Sequence, residues 1–157
     1  MFKFLPLIAL FSLDFIFVLI RQFFIGYNID LAMRDFMGGF FVLFGFLKVI
    51  NIRAFADSYS LYDLIAQKFK VWAYIYPFVE LILGFMYLFD LHPFFLNIFT
   101  ATLMLIGAVG VVVALVSGKK LMCACLGEVF KVPLTYVTLM EDLLMAVMAL
   151  YMLFKIN

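Results

Sequence analysis

Long apolar runs separated by short polar breaks set the outline of this chain. Phe2 to Ile20 is almost uninterrupted, close to the ~20 residues that a membrane-spanning helix needs. Lys3 is its only early positive charge, and no small-x-small cleavage site comes before Arg21 and Gln22, so a retained span is expected in place of a cleaved leader. Asp14 interrupts the run; an acid at that depth costs roughly 2.5 to 3.5 kcal/mol and should face the bundle interior or snorkel to an interface. After a polar connection from Gly26 to Asp35, a second span covers Phe36 to Ile50, beginning upstream near Leu31 or Ala32 and reaching Ile52. Its Gly38-Gly39 pair and Gly45 suit close helix packing.

From Arg53 to Phe69 the periodicity changes. Phe55, Tyr59, Tyr62 and Ala66 follow steps of three and four, while Asp57, Asp63 and Lys68 interrupt the other faces. That pattern predicts an amphipathic helix lying in the membrane interface. Val71 to Phe89 is the next span, with Pro77 expected to kink or open it and Glu80 well inside. A tight turn at Asp90-Leu91-His92-Pro93 leads to Phe94–Val116, the most uniformly apolar run of the chain. His92 reads as a surface residue, since no second histidine exists to complete a site. Pro133 suits the first turn of a last helix ending near Phe154, which makes five spanning segments in all.

Composition turns the pattern into a class. Of 157 residues 69% are hydrophobic and only 13% charged, against about half and a quarter in soluble domains. The expected fold is therefore all-α, a polytopic transmembrane helix bundle in contact with the lipid bilayer. Eleven basic against ten acidic residues give no sign of nucleic-acid binding. Lys3, Arg53, Lys68, Lys70, Lys119, Lys120 and Lys131 fall on one side of such a bundle, and Arg21, Arg34 and Lys155 on the other. Positive-inside bias then places the amino terminus and the segment after Val116 on the cytoplasmic side of the inner (plasma) membrane.

Candidate chemistry sits between the last two spans. Cys123 and Cys125 are the chain's two cysteines, and in an extended or turn conformation residues two apart point the same way, so their thiols converge. Such a pair can alternate between dithiol and disulfide, exchange with a partner's thiols, or hold a soft ion such as Cu(I), with Met122 beside it. On the last helix Thr138, Glu141, Met145, Met148 and Met152 form one stripe beginning just past the thiols, with Asp142 next to Glu141. A stripe of this kind serves either adaptable packing or a metal path. Within the bilayer Glu80 is a functional candidate by default, and Lys48 is its expected partner, either as a packing ion pair or in a proton or ligand role.

From Phe36 onward the chain resembles the MauE/DoxX family of redox-associated membrane proteins. The matching stretches are Phe44-Gly45-Phe46-Leu47-Lys48, Phe55-Ala56 with Tyr59 and Tyr62-Asp63, Tyr76-Pro77-Phe78-Val79-Glu80-Leu81 with Gly84, and Cys123-Ala124-Cys125-Leu126-Gly127. The branch with the Cys-Ala-Cys-Leu-Gly signature, a later Pro, Val137-Thr138, Glu141-Asp142 and Met145 is the most similar; some of its members carry a heavy-metal-binding domain. The resemblance implies a DoxX-like four-helix core over 31–157, preceded over 1–30 by an extra transmembrane helix and its connection. It implies, too, either assistance to disulfide or cofactor maturation, as with methylamine-utilisation members, or handling of a metal such as copper. Lys48, Glu80, Tyr59 and Asp63 become its intramembrane polar group.

Two working readings result. In the first, Cys123 and Cys125 exchange disulfides with a redox partner protein, the nearby Lys119, Lys120 and Lys131 favouring thiolate. A relay of this kind needs somewhere to pass electrons, and with no further cysteine or dinucleotide fingerprint a partner or a membrane quinone must serve. In the second, Cys123, Cys125, Met122, Glu141 and Met145 bind or transport Cu(I) received from a metal-donor protein. Against both stands a scaffolding protein whose thiols are incidental. Soluble hydrolase, zinc-protease and phosphate-loop motifs are absent from the sequence.

Overall fold

The computed structural model describes residues 5–118, 121–123, 132–133 and 136–156. Six helices follow one another among them: α1 (Leu5–Ile25), α2 (Ile29–Ile50), α3 (Ile52–Tyr59), α4 (Lys70–Leu88), α5 (Pro93–Val116) and α6 (Tyr136–Ile156). Two short strands, β1 (Met122–Cys123) and β2 (Val132–Pro133), pair antiparallel between α5 and α6. By length and composition α1, α4 and α5 can each cross a membrane, and α2 with α3 makes a fourth candidate, bent by 104° at Asn51. α6, the expected fifth span, is a helix of 21 residues packed along α5. The chain is a multi-pass helical membrane protein.

Its surface is inside-out by the standards of a soluble domain. Phe15, Ile16, Phe78, Ile82, Val109, Val113 and Val147 all point outward, as a lipid-facing belt requires. The acids and amides turn in: Asp14, Asp35, Lys48, Asp63, Glu80, Asn97 and Glu141 are all buried. At the end of the bundle away from the cysteine hairpin, cations meet acids. Arg21 donates to Asp35 at 2.8 Å, Lys155 contacts Asp30 at 2.6 Å, and Arg34 pairs with Asp90.

Glycines bring α2 against α4. A Cβ at Gly84 would stand 2.9 Å from the Val42 backbone nitrogen and 3.0 Å from the Gly38 carbonyl oxygen, so no larger residue fits that crossing. Gly110 of α5 makes the same kind of approach to the turn after α3, where a Cβ would meet the Tyr62 carbonyl oxygen at 2.7 Å.

Several expected boundaries move, each for a physical reason. α1 runs on to Ile25 because Arg21 and Gln22 turn inward instead of ending the span: Arg21 pairs with Asp35, and Gln22 accepts from the Asn28 backbone N–H at 2.7 Å. The connection shrinks to Gly26–Asn28, because Asn28 caps α2 through the backbone N–H groups of Asp30 and Leu31. α4 continues through Pro77 without interruption. Pro133 does not open the last helix; it pairs with Met122 in the hairpin, and α6 begins at Tyr136.

The largest correction concerns 53–69. Helix stops at Tyr59, and the face made by Phe55, Tyr59, Tyr62 and Ala66 is buried within the protein, not laid on the membrane. Phe55 and Tyr59 stack on each other and on Tyr76 of α4, with ring centroids 4.7 to 6.2 Å apart. Asp63, assigned to a polar face, is buried as well. Beyond the end of α3 its Oδ1 accepts from the backbone N–H groups of Ile65 and Ala66, at 3.0 and 2.8 Å, so it ties the turn that follows.

Candidate functional site

The buried polar groups converge on one chamber beneath the hairpin. Lys48 comes from the last turn of α2 and Glu80 from the middle of α4, and the ammonium lies 2.6 Å from both carboxylate oxygens. Burying two charges in lipid costs several kcal/mol each, and only close pairing offsets that. Further stabilisation comes from two aromatic faces, since Lys48 Nζ lies 5.6 Å from the centroid of Phe55 and 5.2 Å from that of Tyr76. Tyr76 stands one helical turn before Glu80 on α4, a position the apolar reading of that segment passed over.

α3 closes the near side. The Tyr59 hydroxyl donates to Asp63 Oδ2 at 2.9 Å, so Asp63 fixes a tyrosine with one oxygen and the backbone turn with the other. α6 closes the far side with Thr138, Glu141 and Asp142. Gly107 of α5 leaves room for Asp142, whose Oδ2 would be 3.5 Å from a Cβ there. Together these side chains enclose about 40 Å³, enough to hold water among several polar partners.

The hairpin sits above this chamber. Cys123 is buried and disulfide-bonded, and the Thr138 hydroxyl lies 3.4 Å from its sulphur. Met122 beside it is exposed. The chain's other cysteine, Cys125, lies outside the described residues, as do Lys119, Lys120 and Lys131. Of the α6 stripe, Thr138, Glu141, Met145 and Met152 are buried and Met148 is half-buried. Met145 is wholly enclosed in the core, where its thioether acts as packing. Among the described residues no three His, Cys, Asp or Glu side chains are arranged to hold a metal ion. His92 is exposed, with its backbone in the left-handed region.

The structure therefore brings together Lys48, Glu80, Tyr59, Asp63 and Glu141, and links Cys123 to them through Thr138. Two further polar features are buried in the bundle: one, the Tyr87–Asn97 contact, had no sequence signal of its own, while Asp14, expected to face the interior or an interface, is found inside. Tyr87 donates to Asn97 at 2.8 Å between α4 and α5, and Asp14 of α1 is buried with both oxygens unpartnered among the described residues. Its carboxyl group rests on Gly39, where a Cβ would come 3.0 Å from the carboxyl carbon.

The family model described as methylamine utilisation protein MauE matches residues 26–155. That span takes in the chamber, both cysteines and nearly all of α2 to α6, and leaves α1 outside. No curated protein and no solved structure matches the chain. With the match running from the start of α2 almost to the end of α6, the chain belongs to the MauE family.

Proposed function

We propose that this protein is a redox accessory of the membrane, in which Cys123 and Cys125 alternate between dithiol and disulfide in exchange with a partner protein. The observation that carries this reading is the disulfide at Cys123, held in the hairpin at one end of the bundle with its sulphur 3.4 Å from the Thr138 hydroxyl. A thiol–disulfide cycle moves protons along with electrons. The acids Glu80, Glu141 and Asp142 around a water-sized space one turn below that sulphur offer a place to take them up and release them.

The family description supplies a setting, methylamine utilisation; the partner proposed within it is a protein whose disulfides or cofactor must mature. Arg53, Lys68 and Lys70 lie at the hairpin end of the bundle, which supports a cytoplasmic hairpin in the inner membrane. Disulfides in that compartment are transient and catalytic, in keeping with a cycling pair. The soft-metal reading retains the thiols as ligands, but Met145 lies in the core and no observation favours it.

Cys123→Ser and Cys125→Ser test the proposal directly. Each should abolish thiol exchange with the partner while the protein still inserts and folds. Full activity in both variants would overturn it.

A further inference from the structure

Glu141 belongs to two spaces at once. It lines the polar chamber, and it also lines a groove of about 670 Å³ on the outer surface between α1 and α6, where Phe36 of α2 contributes as well. The other walls of the groove are apolar, with Phe11 and Phe15 from α1 and Leu144 from α6. Ser12 is the exception, and its hydroxyl already donates to the Ile8 carbonyl at 2.8 Å.

Glu141, shared by the groove and the chamber, is only 7% exposed, and its buried Oε1 has no hydrogen-bond partner among the described residues. An unsatisfied buried carboxyl oxygen is costly, and an acyl chain entering from the bilayer brings nothing to relieve it. The occupant that fits has an apolar body, a hydrogen-bonding group at one end and access from the lipid. Position adds a second requirement. Thr138, one turn from Glu141 on the same helix, is the residue that contacts the Cys123 sulphur.

We propose that this groove is a lateral binding site for an isoprenoid quinone, with a quinone oxygen hydrogen-bonded to Glu141, and that the bound quinone accepts the electrons of the cysteine pair. The electron step rests on the thiol reading above; the binding step does not. In the step, two S–H bonds break and the Cys123–Cys125 S–S bond forms. Two electrons and two protons pass to the quinone, whose two carbonyl oxygens become the hydroxyls of the quinol. Glu141 accepts a hydrogen bond from the quinol as carboxylate, donates one to the quinone as acid, and so carries one of the two protons. α1 matters because it builds the outer wall of the groove, although it stands outside the family match.

The test uses the full chain in nanodiscs, with a photoreactive ubiquinone analogue and decylubiquinone as competitor. Label should map to α1 and α6 around Phe11, Phe15 and Leu144 and be competed away. Glu141→Leu, which cannot donate to a quinone oxygen, should weaken competition by up to about tenfold, the loss expected for one hydrogen bond. Ser12→Phe, on an exposed face of α1, should fill the groove and abolish labelling without loss of folding. With the protein reduced beforehand, decylubiquinone should consume two thiols per quinone reduced, and Ser12→Phe should stop this while leaving exchange with a soluble disulfide intact.

Label spread evenly over the lipid-facing surface and indifferent to both substitutions is the result of a groove filled by acyl chains, and overturns the proposal. It would do so even where the cysteines still exchange with a soluble disulfide, in which case the thiol reading survives alone. Competed labelling in the groove with no thiol consumed overturns the electron-accepting role.

Discussion

Lys48 Nζ lies 2.6 Å from both carboxylate oxygens of Glu80, so the two buried charges form a single unit that joins α2 to α4. Removing one member leaves the other charged and unpaired in a lipid-facing bundle, which costs about 3 to 5 kcal/mol. Lys48→Met and Glu80→Gln should each lower thermal stability by that order. The double variant should recover much of the loss, and the reversed pair Lys48→Glu with Glu80→Lys should recover part of it. Thermal unfolding of the four variants and the wild type in one detergent checks this; additive losses would show that the pair is not coupled.

Gly84 makes a second prediction about the same two helices. A Cβ there would stand 2.9 Å from the Val42 nitrogen and 3.0 Å from the Gly38 carbonyl oxygen, and both obstacles are backbone. Gly84→Ala should therefore push α4 away from α2 and cost about 1 to 3 kcal/mol. Gly26 offers the contrast, with nothing within 4 Å of a Cβ but a φ of +105°. Gly26→Ala should be felt as backbone strain of about 1 kcal/mol, with no loss of helix packing. Comparing the melting temperatures of the two variants, and their rates of crosslinking between α2 and α4, separates packing from strain.

Asp63 uses its two oxygens differently. Oδ1 accepts from the Ile65 and Ala66 backbone N–H groups, and Oδ2 accepts from the Tyr59 hydroxyl. Asp63→Asn can keep the backbone bonds through its carbonyl oxygen, whereas Asp63→Ala loses all three. Hydrogen exchange over residues 60–69 should accelerate by about tenfold or more in the alanine variant, the loss of one to two hydrogen bonds, and by less in the asparagine variant. Equal protection in wild type and Asp63→Ala would contradict the role given to this side chain.

How far these relationships were legible beforehand depended on the kind of force behind each. The spans were legible because lipid demands long apolar runs, and Lys48 with Glu80 because a buried charge demands a partner. The end of α1 was not. Polar residues such as Arg21 and Gln22 look like a boundary in the sequence, but inside a bundle they turn toward Asp35 and Asn28 and the helix continues. Segment 53–69 failed for a related reason. Periodicity marks a face to be buried and does not say whether lipid or protein buries it; here Tyr76 of another helix supplied the surface for Phe55 and Tyr59. Pro133 satisfied a rule for helix starts yet sits in a two-stranded hairpin, since a proline is equally tolerated at a strand edge. The groove beside Glu141 had no signal in the chain, because its main walls come from helices at opposite ends of the sequence.

The most direct measurement is the redox state of the cysteine pair in place. Intact cells and inverted vesicles would be labelled with a membrane-impermeant maleimide, with and without prior reduction, and with and without a Cu(I) chelator. The account predicts that Cys123 and Cys125 label only after reduction, that they do so in inverted vesicles, and that the chelator changes nothing. Full labelling without reductant, rising further when copper is chelated, would contradict it and make the pair a metal-binding site.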